Sequence, residues 1–107
     1  MRISLASLSI TLKNQITGAL IMGMGGALFE ELRYDRFKIV NASLSEYRVP
    51  RFSDVPAIEV ILVDRREVTP AGAGELPITV VAPSLGAAIH AATGKRLRAL
   101  PFERALA

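Results

Sequence analysis

Residues 15–32 read QITGALIMGMGGALFEEL, and this glycine-rich apolar stretch decides what kind of fold the chain can form. A helical projection at about 100° per residue places one set of residues on a single stripe: Gln15, Gly18, Met22, Gly25, Gly26 and Phe29. Each of the four glycines costs about 1 kcal/mol of helix propensity, so close approach of another backbone or a ligand has to compensate. Because the opposite side is apolar as well, we predict a buried helix over residues 15–32.

Composition restricts the function classes open to a chain of 107 residues, which is the size of one domain. The absence of cysteine excludes disulfides, zinc–thiolate sites and protein-ligated iron–sulfur clusters within this sequence. The one histidine, His90, cannot build a metal site alone and is typical of a packing or surface residue. The net charge is +3, and the basic cluster at residues 95–98 has no interleaved aromatic residues, so no nucleic-acid partner is expected.

The remaining segments predict an α+β fold made of the glycine-rich buried helix, a strand pair and a C-terminal helix. Residues 1–13 alternate weakly, as an edge strand or a frayed arm does. Residues 38–49 alternate imperfectly, and residues 57–63 form a β-branched run, so each predicts a strand. Residues 78–93 predict a helix whose regular part begins near Ala82, and Gly94 is well suited to follow its last turn.

Two other classes of protein are disfavoured by short motifs. No apolar run reaches the roughly 18–20 residues that span a bilayer, and residues 1–12 lack the Ala-x-Ala site of a signal peptide. The series Gly23-x-Gly25-Gly26 starts like a dinucleotide-binding fingerprint, but Leu28 stands where that fingerprint needs a third glycine or alanine. Neither a membrane span nor a Rossmann fold is therefore expected.

One carboxylate stands at the end of a small-residue loop, in the stretch AGAGELP at residues 71–77. Glycine allows a backbone to pass close to a bulky neighbour, so Glu75 on this loop could face a large ligand. Three interpretations stay open from the residues alone. Glu75 is a solvated loop carboxylate, an anchor at the positive end of the following helix, or a general base.

An ordered series of short motifs with consistent spacing carries a family resemblance: Gln15-x-x-Gly18, Gly23-Met24-Gly25-Gly26, Asn41, Tyr47-Arg48-Val49-Pro50-Arg51, Asp54-x-Pro56, Ile58-Glu59-Val60, Gly72-x-Gly74-Glu75-x-Pro77 and Thr93-Gly94-Lys95-Arg96. Over residues 15–101 the series resembles the C-terminal segment of the molybdopterin-binding large subunit of the xanthine oxidase and aldehyde oxidoreductase family. Within these molybdenum hydroxylases, the chain looks most similar to isoquinoline 1-oxidoreductase-like subunits.

The resemblance implies site residues, a cofactor and partners. It implies that Glu75 is the catalytic base beside the molybdenum, that Gln15 contacts the pterin, and that Gly72 and Gly74 let their loop approach the cofactor. It further implies a molybdenum–molybdopterin cofactor in the cytosine dinucleotide form, with no protein side chain as metal ligand. The implied partners are the remainder of the large subunit, a small iron–sulfur subunit and a small-molecule substrate, either an aldehyde or an N-heterocycle that is hydroxylated with water.

The resemblance also divides the chain. Residues 1–14 are an atypical arm, residues 15–101 are the C-terminal part of the molybdopterin-binding domain, and residues 102–107 are a tail. The resemblance stops abruptly before Gln15, as it does in a truncated, frameshifted or newly started reading frame. We expect no turnover by the isolated chain, and a non-catalytic orphan fragment or small binding module is the alternative function. A cytoplasmic compartment is favoured over a periplasmic one.

Overall fold

The longest element of the computed structural model, which describes residues 5–65, 67–69 and 71–106, is helix α1, Leu5–Leu28. At 1.5 Å per residue it is about 36 Å long. From Leu5 onward the predicted edge strand or frayed arm is therefore wrong, while residues 1–4 lie outside the described residues. Leucine, alanine and lysine are good helix formers, and their propensity outweighs the weak alternation of this stretch.

Helix α1 ends four residues before the predicted boundary at residue 32, because its last turn closes on Gly25. The backbone N–H groups of Phe29 and Glu30 both donate to the Gly25 carbonyl, at 3.0 and 2.9 Å. A carbonyl shared in this way is common at helix termini. Residues 19–22 lie within α1, so the strand that a dinucleotide fingerprint requires before Gly23 is absent from this described stretch.

The other elements are short: strands β1 (Tyr34–Asp35) and β2 (Lys38–Ile39), a 3₁₀ helix (Phe52–Asp54), and helices α2 (Leu76–Thr79), α3 (Val81–Thr93) and α4 (Phe102–Leu106). The two strands form an antiparallel hairpin in which Tyr34 opposes Ile39. Its turn places Arg36 at φ 52°, in the left-handed region. The α+β class is thus confirmed. Helix α3 lies close to the range predicted for the C-terminal helix, residues 78–93.

The predicted strand pair is wrong in position. Only residues 38–39 of the predicted strand 38–49 are paired, and the predicted strand 57–63 is in no strand. Between residues 43 and 47 the chain turns instead, because the N–H groups of Glu46 and Tyr47 donate to the Ser43 carbonyl. Residues 57–63 have no neighbouring strand within the described part of the chain, so their β propensity finds no partner.

The close contact between α1 and α3 organises the packing. A Cβ on Gly23 would lie 2.8 Å from Cγ2 and 2.9 Å from Cβ of Val81, and 3.1 Å from Cγ1 of Ile78. Val81 is buried at this contact, and Ala19 and Ala27 of α1 are buried as well. Glycine at position 23 therefore lets the two helices approach more closely than any other residue would allow.

A buried asparagine fixes the loop that follows α1. Asn41 is 3% exposed, and its Oδ1 accepts the Arg33 backbone N–H at 2.8 Å. Its Nδ2 donates to the Glu31 carbonyl at 2.8 Å. Both polar ends of the side chain are satisfied, which is what allows an amide to be buried at all. The hairpin is thereby held against the end of α1.

The C-terminal part of the chain returns to the end of α1. Gly94 ends α3 at φ 72°, as predicted, and its N–H donates to the His90 carbonyl at 2.8 Å. The buried ring of Phe102, at the start of α4, fits against Gly86 of α3, where a Cβ would lie 3.3 Å from the ring. At the junction between the end of α1 and α4, the guanidinium carbon of Arg48 lies 3.9 Å from the centre of the Phe29 ring.

Ion pairs and hydrogen bonds of carboxylates complete this junction between the end of α1 and α4. Arg48 donates twice to the Glu103 carboxylate, at 2.8 and 3.1 Å. Arg104 reaches Glu31 at 3.5 Å. Glu30 is half-buried and accepts the Tyr47 hydroxyl at 3.0 Å. Exposed pairs of this kind contribute little stability each, so they orient α4 more than they hold it.

The chain does not close a core of its own. Its radius of gyration is 17.5 Å, against about 13 Å for a compact chain of this length. Its accessible surface is 8900 Å², against roughly 5,800 Å² for a folded monomer of this size. Four apolar residues are buried in the described part: Ala19, Ala27, Val81 and Phe102. These values indicate a piece of a larger structure.

The segment Leu76–Thr93 is long and apolar enough to cross a membrane by length and composition alone. An apolar segment of this length was not expected from the sequence, and the absence of a membrane span stays a prediction. The same composition suits a helix pair covered by protein, and Ile78 and Val81 of this segment pack on Gly23 of α1.

A matched pair of glycine substitutions tests the α1–α3 contact. Gly23→Ala should lower the free energy of unfolding by about 1–2 kcal/mol, because overpacking against Val81 outweighs the gain in helix propensity. Gly26→Ala should raise it by up to about 1 kcal/mol, because a Cβ there meets nothing within 4 Å. Urea unfolding followed by circular dichroism measures both, and equal effects of the two substitutions would contradict the contact.

The hydrogen bond from Tyr47 to Glu30 predicts a pH effect. This bond, with a smaller desolvation effect and the nearby Glu30 charge, raises the pKa of Tyr47 above its ordinary value of 10.0. The stabilisation is therefore present below pH 10 and is lost as pH rises through the raised pKa. Absorbance titration in a Tyr34→Phe background, which leaves one tyrosine, should give a midpoint above 10. Glu30→Gln should lower it and Glu46→Gln should not.

Candidate functional site

A cleft of about 310 Å³ lies between helix α1 and the loop that leads into α2. Its wall on the α1 side repeats at helical spacing, three and four residues apart, so one face of the helix supplies it. The loop and α2 supply the other wall. The lining residues are Asn14, Gln15, Gly18, Ala19, Met22, Gly74, Glu75 and Ile78.

The local sequence explains how the loop presents its carboxylate. Pro77 lies in the first turn of α2, where a missing N–H costs nothing, and the residue before that helix is Glu75. The Glu75 carbonyl accepts the Ile78 N–H at 3.2 Å, which fixes the backbone at the end of the loop. Residues 71–74 therefore end in a held position rather than in a free coil.

Gln15 joins the two walls. Its Nε2 donates to the Gly74 carbonyl at 3.3 Å, across 59 residues of sequence. The structure thus brings together three of the four predicted site residues: Gln15, Gly74 and Glu75. The fourth, Gly72, lies in the same loop but does not line the cleft. The catalytic and cofactor-binding roles of all four stay predictions.

The Glu75 side chain is exposed and makes no capping hydrogen bond to α2. Among the described residues it has no hydrogen-bond or ion-pair partner. The anchor interpretation is therefore supported by position alone, since Glu75 occupies the residue before the helix without bonding to it. The carboxylate stays available at the mouth of the cleft.

The glycines of the chain differ in what an added Cβ would meet. At Gly23 and Gly25 it would collide with neighbouring side chains, so packing within the chain explains them. At Gly18, Gly26, Gly72 and Gly74 a Cβ would meet nothing within 4 Å, and none of the four has a positive φ. Nothing in the described residues requires glycine at these four positions, and two of them, Gly18 and Gly74, line the cleft, where there is space for a group from outside the chain.

The donor set of the cleft suits an organic group better than a bare metal ion. It offers the two side-chain amides of Asn14 and Gln15, the Glu75 carboxylate and backbone groups, which form hydrogen bonds to a polar ring system. In the described ranges, no cluster of three or more histidine, cysteine, aspartate or glutamate side chains could hold a metal ion. The residues present therefore fit one face of a bulky cofactor that brings its own metal ligands.

Comparison with known proteins bears on this cofactor. The sequence pattern of the molybdopterin cofactor-binding domain family matches residues 10–56. This range includes Gln15 and Gly18 on the α1 side of the cleft. The chain belongs to the molybdenum hydroxylase large-subunit family. Its predicted resemblance is thereby confirmed, as is a cofactor of the molybdopterin class.

Three relatives illustrate the similarity. The aldehyde oxidoreductase molybdenum-binding subunit PaoC of Escherichia coli (strain K12) is 38% identical over 99 residues, covering 86% of this chain and 14% of that subunit. Isoquinoline 1-oxidoreductase subunit beta of Brevundimonas diminuta is 34% identical over 95 residues, covering 89% and 12%. The putative xanthine dehydrogenase molybdenum-binding subunit XdhA of Escherichia coli (strain K12) is 36% identical over 96 residues, covering 84% and 13%.

The chain therefore spans about one-seventh or less of the length of these relatives. Each relative is named as a subunit, so each is one part of a larger enzyme. The small share agrees with the open packing of the described residues. This molybdenum hydroxylase segment supplies an open cleft, which is one part of a site rather than an enclosed pocket.

The sequence predicted some of the residues that line the cleft and missed others. The helical projection placed Gln15, Gly18 and Met22 on one stripe, and all three line the cleft. Asn14 was assigned to the arm that precedes the helix, so its place in the cleft was missed. Ile78 was missed because only the fold brings α2 beside α1. The helix propensity of residues 5–14 was the signal that could have found Asn14.

The bond between Gln15 and Gly74 predicts a local change in dynamics. Gln15→Ala should speed amide exchange at residues 73–76 by roughly twofold to tenfold, because one exposed hydrogen bond contributes about 0.5–1.5 kcal/mol. Asn14→Ala is the matched control, since Asn14 lines the same cleft without a bond to the loop. Hydrogen–deuterium exchange with mass spectrometry measures both, and equal exchange rates in the two variants would contradict the link.

Proposed function

We propose that this chain is the C-terminal portion of a molybdenum hydroxylase large subunit, which hydroxylates an aldehyde or an N-heterocycle with water as oxygen source. The observation that carries the proposal is the cleft in which Gln15 contacts Gly74 beside the unpartnered carboxylate of Glu75. The family match and the relatives' names support the same chemistry. The chain alone, which supplies only part of the site, is not expected to turn over.

Within that site the cofactor, when bound, supplies the redox chemistry of the hydroxylation. Glu75 would act as the general base, because its carboxylate is exposed at the mouth of the cleft and free to accept a proton. A base must come within hydrogen-bond distance of the proton it takes, and the carbonyl bond to Ile78 holds the Glu75 backbone in place for this.

Gln15 would hold and orient the pterin. Its amide both donates and accepts hydrogen bonds, so it can bond to the Gly74 carbonyl and to a polar ring edge at the same time. Gly72 and Gly74 would admit the cofactor close to the loop backbone, because no Cβ stands in the way. The face of α1 at Gly18 would be open for the same reason.

Further features of the complete enzyme belong to this proposal. The cofactor would be the cytosine dinucleotide form of molybdopterin. Besides the remainder of the large subunit, a small iron–sulfur subunit would accept the electrons, because this sequence has no cysteine for a cluster of its own. The enzyme would act in the cytoplasm on a small molecule, with no nucleic-acid partner and no membrane span in this chain.

The alternative function is a non-catalytic orphan fragment or small binding module. One observation favours it: Glu75 is exposed at the mouth of the cleft, and the chain has an accessible surface of 8900 Å², well above that of a compact monomer of its size. The two functions differ in what the chain carries in its host. Stoichiometric molybdenum and pterin would accompany the chain of a working hydroxylase, whereas an orphan fragment would be free of both.

Replacing the carboxylate tests the catalytic role. In the complete enzyme, Glu75→Gln should lower turnover by at least about 100-fold, the usual contribution of a positioned base. The amide keeps the size of the side chain and the fold of the loop. Molybdenum and released pterin per subunit should therefore stay at the wild-type level, which separates loss of the base from loss of the cofactor.

The matched control is Glu46→Gln, an exposed carboxylate in a different loop, which should leave turnover unchanged. Normal turnover of the Glu75→Gln enzyme would remove Glu75 from its role. A wild-type enzyme purified with neither molybdenum nor pterin would remove the hydroxylase function itself and favour the orphan fragment.

A further inference from the structure

Residues 57–63, which read AIEVILV, form the most strand-like segment of the sequence, yet the structure gives them no strand. We name residues 57–63 the unpaired segment. Isoleucine and valine supply four of its seven residues, and such residues favour a pleated, extended backbone. The residue types therefore favour a β-strand, but the segment pairs with no strand. The absence of a neighbouring strand to pair with explains both observations.

The backbone of the unpaired segment is free on both edges. None of its N–H or C=O groups bonds to another backbone group among the residues that the structure describes. Each side therefore presents a row of unsatisfied donors and acceptors, which is the usual template for adding a β-strand. At about 3.3 Å per residue, seven residues offer roughly 23 Å of such edge.

The side chains of the segment alternate between two faces, as in a strand. Ile58 and Val60 are half-buried, and Ile58 lines a groove of about 220 Å³ together with Leu20 and Val81. The inner face thus lies over the α1–α3 pair. On the outer face, Ile61 is 77% exposed and Val63 is 76% exposed.

The outer face also carries the exposed Glu59, the one charged side chain among the seven residues. Apolar residues on both faces are typical of a strand that is covered on both sides within a sheet. The helices α1 and α3 already cover one face, which gives the helix-on-sheet layering of mixed folds. What the chain lacks is the sheet around the segment and a cover for Ile61 and Val63. The chain exposes roughly 3,000 Å² more than a compact monomer, several times the roughly 800 Å² that one partner buries in a standard interface.

A second copy of the chain does not fit this surface. A second copy would bring the same single segment, and a two-stranded ribbon is marginally stable in water. It would also leave one edge of each segment unpaired. The relatives, by contrast, are about seven times longer than the matched region, so the remaining large-subunit sequence is long enough to supply a whole sheet.

We infer that residues 57–63 are a central strand of a sheet whose neighbouring strands come from the remainder of the large subunit, and that this sheet docks the cleft-bearing helices to it. The inference rests on the proposed function, because it takes the rest of that subunit as the partner. Docking at the unpaired segment would bury the exposed apolar face of the chain against the rest of the subunit. It would also complete the site of which this chain provides the cleft.

Amide exchange in two preparations tests the inference. The first is the isolated chain, and the second is the purified large subunit as it occurs, whether the remaining sequence is joined to the chain or associates with it. Amides of residues 58–63 should exchange freely in the isolated chain. In the large subunit they should exchange at least about 100-fold more slowly, because each would be hydrogen-bonded in a sheet.

Two substitutions add a matched control. Ile61→Lys should leave the circular dichroism of the isolated chain unchanged, because position 61 is exposed there, but should abolish the exchange protection in the large subunit by burying an unpaired charge. Leu44→Lys replaces a residue that is 84% exposed outside the segment and should leave the protection intact. The comparison separates a docking face from general sensitivity to added charge.

Three results would overturn the inference. Free exchange of residues 58–63 in a large subunit that contains molybdenum would refute the strand while leaving the proposed function standing. Full protection in the Ile61→Lys subunit would refute the buried outer face. Concentration-dependent protection in the isolated chain would assign the segment to a second copy. Failure of the proposed function is read separately, from the molybdenum and pterin content of the same purified subunit.

Discussion

The close approach of α1 and α3 at Gly23 is the contact on which the other features depend. Val81 and Ile78 lie so near the α1 backbone that a side chain at position 23 has no room. This contact fixes where α2 begins and therefore where the loop of residues 71–75 meets α1. The bond between Gln15 and Gly74 is possible only because the helices are already this close. One glycine thus positions a hydrogen bond at Gln15, which lies two helical turns away from it along α1.

Around this contact, one junction of the chain is well fixed, while large surfaces are left for other protein to cover. The end of α1 is well fixed, by Asn41 within the following loop and by Arg48 and Glu103 across the junction with α4. The cleft and the outer face of residues 57–63 are open by comparison. A segment with one ordered junction and large uncovered surfaces is what a piece of a multidomain subunit should look like, because its core is shared with sequence outside it.

Features set by near neighbours in sequence could be predicted, and features set by distant ones could not. The α3 helix, its glycine terminus at Gly94 and the stripe of Gln15, Gly18 and Met22 follow from local spacing. The strand positions were wrong, because pairing depends on a partner that periodicity does not reveal. The use of Glu30 and Glu31 was missed because Tyr47 and Arg104 meet them only in the folded chain. For the site, the structure places three of the four predicted residues at one cleft, and their roles stay predictions.

The division of the glycines has a consequence for how this sequence can change over evolutionary time. Gly23 and Gly25 are constrained by packing within the chain, so selection for folding alone would preserve them. Gly18 and Gly74, which line the cleft, meet no such constraint, so selection preserves them only while an external group occupies the space above them. In a lineage that has lost the cofactor, alanine and serine would accumulate at those two positions first. The pattern of neutral drift at four glycines would then distinguish a working subunit from an inherited remnant.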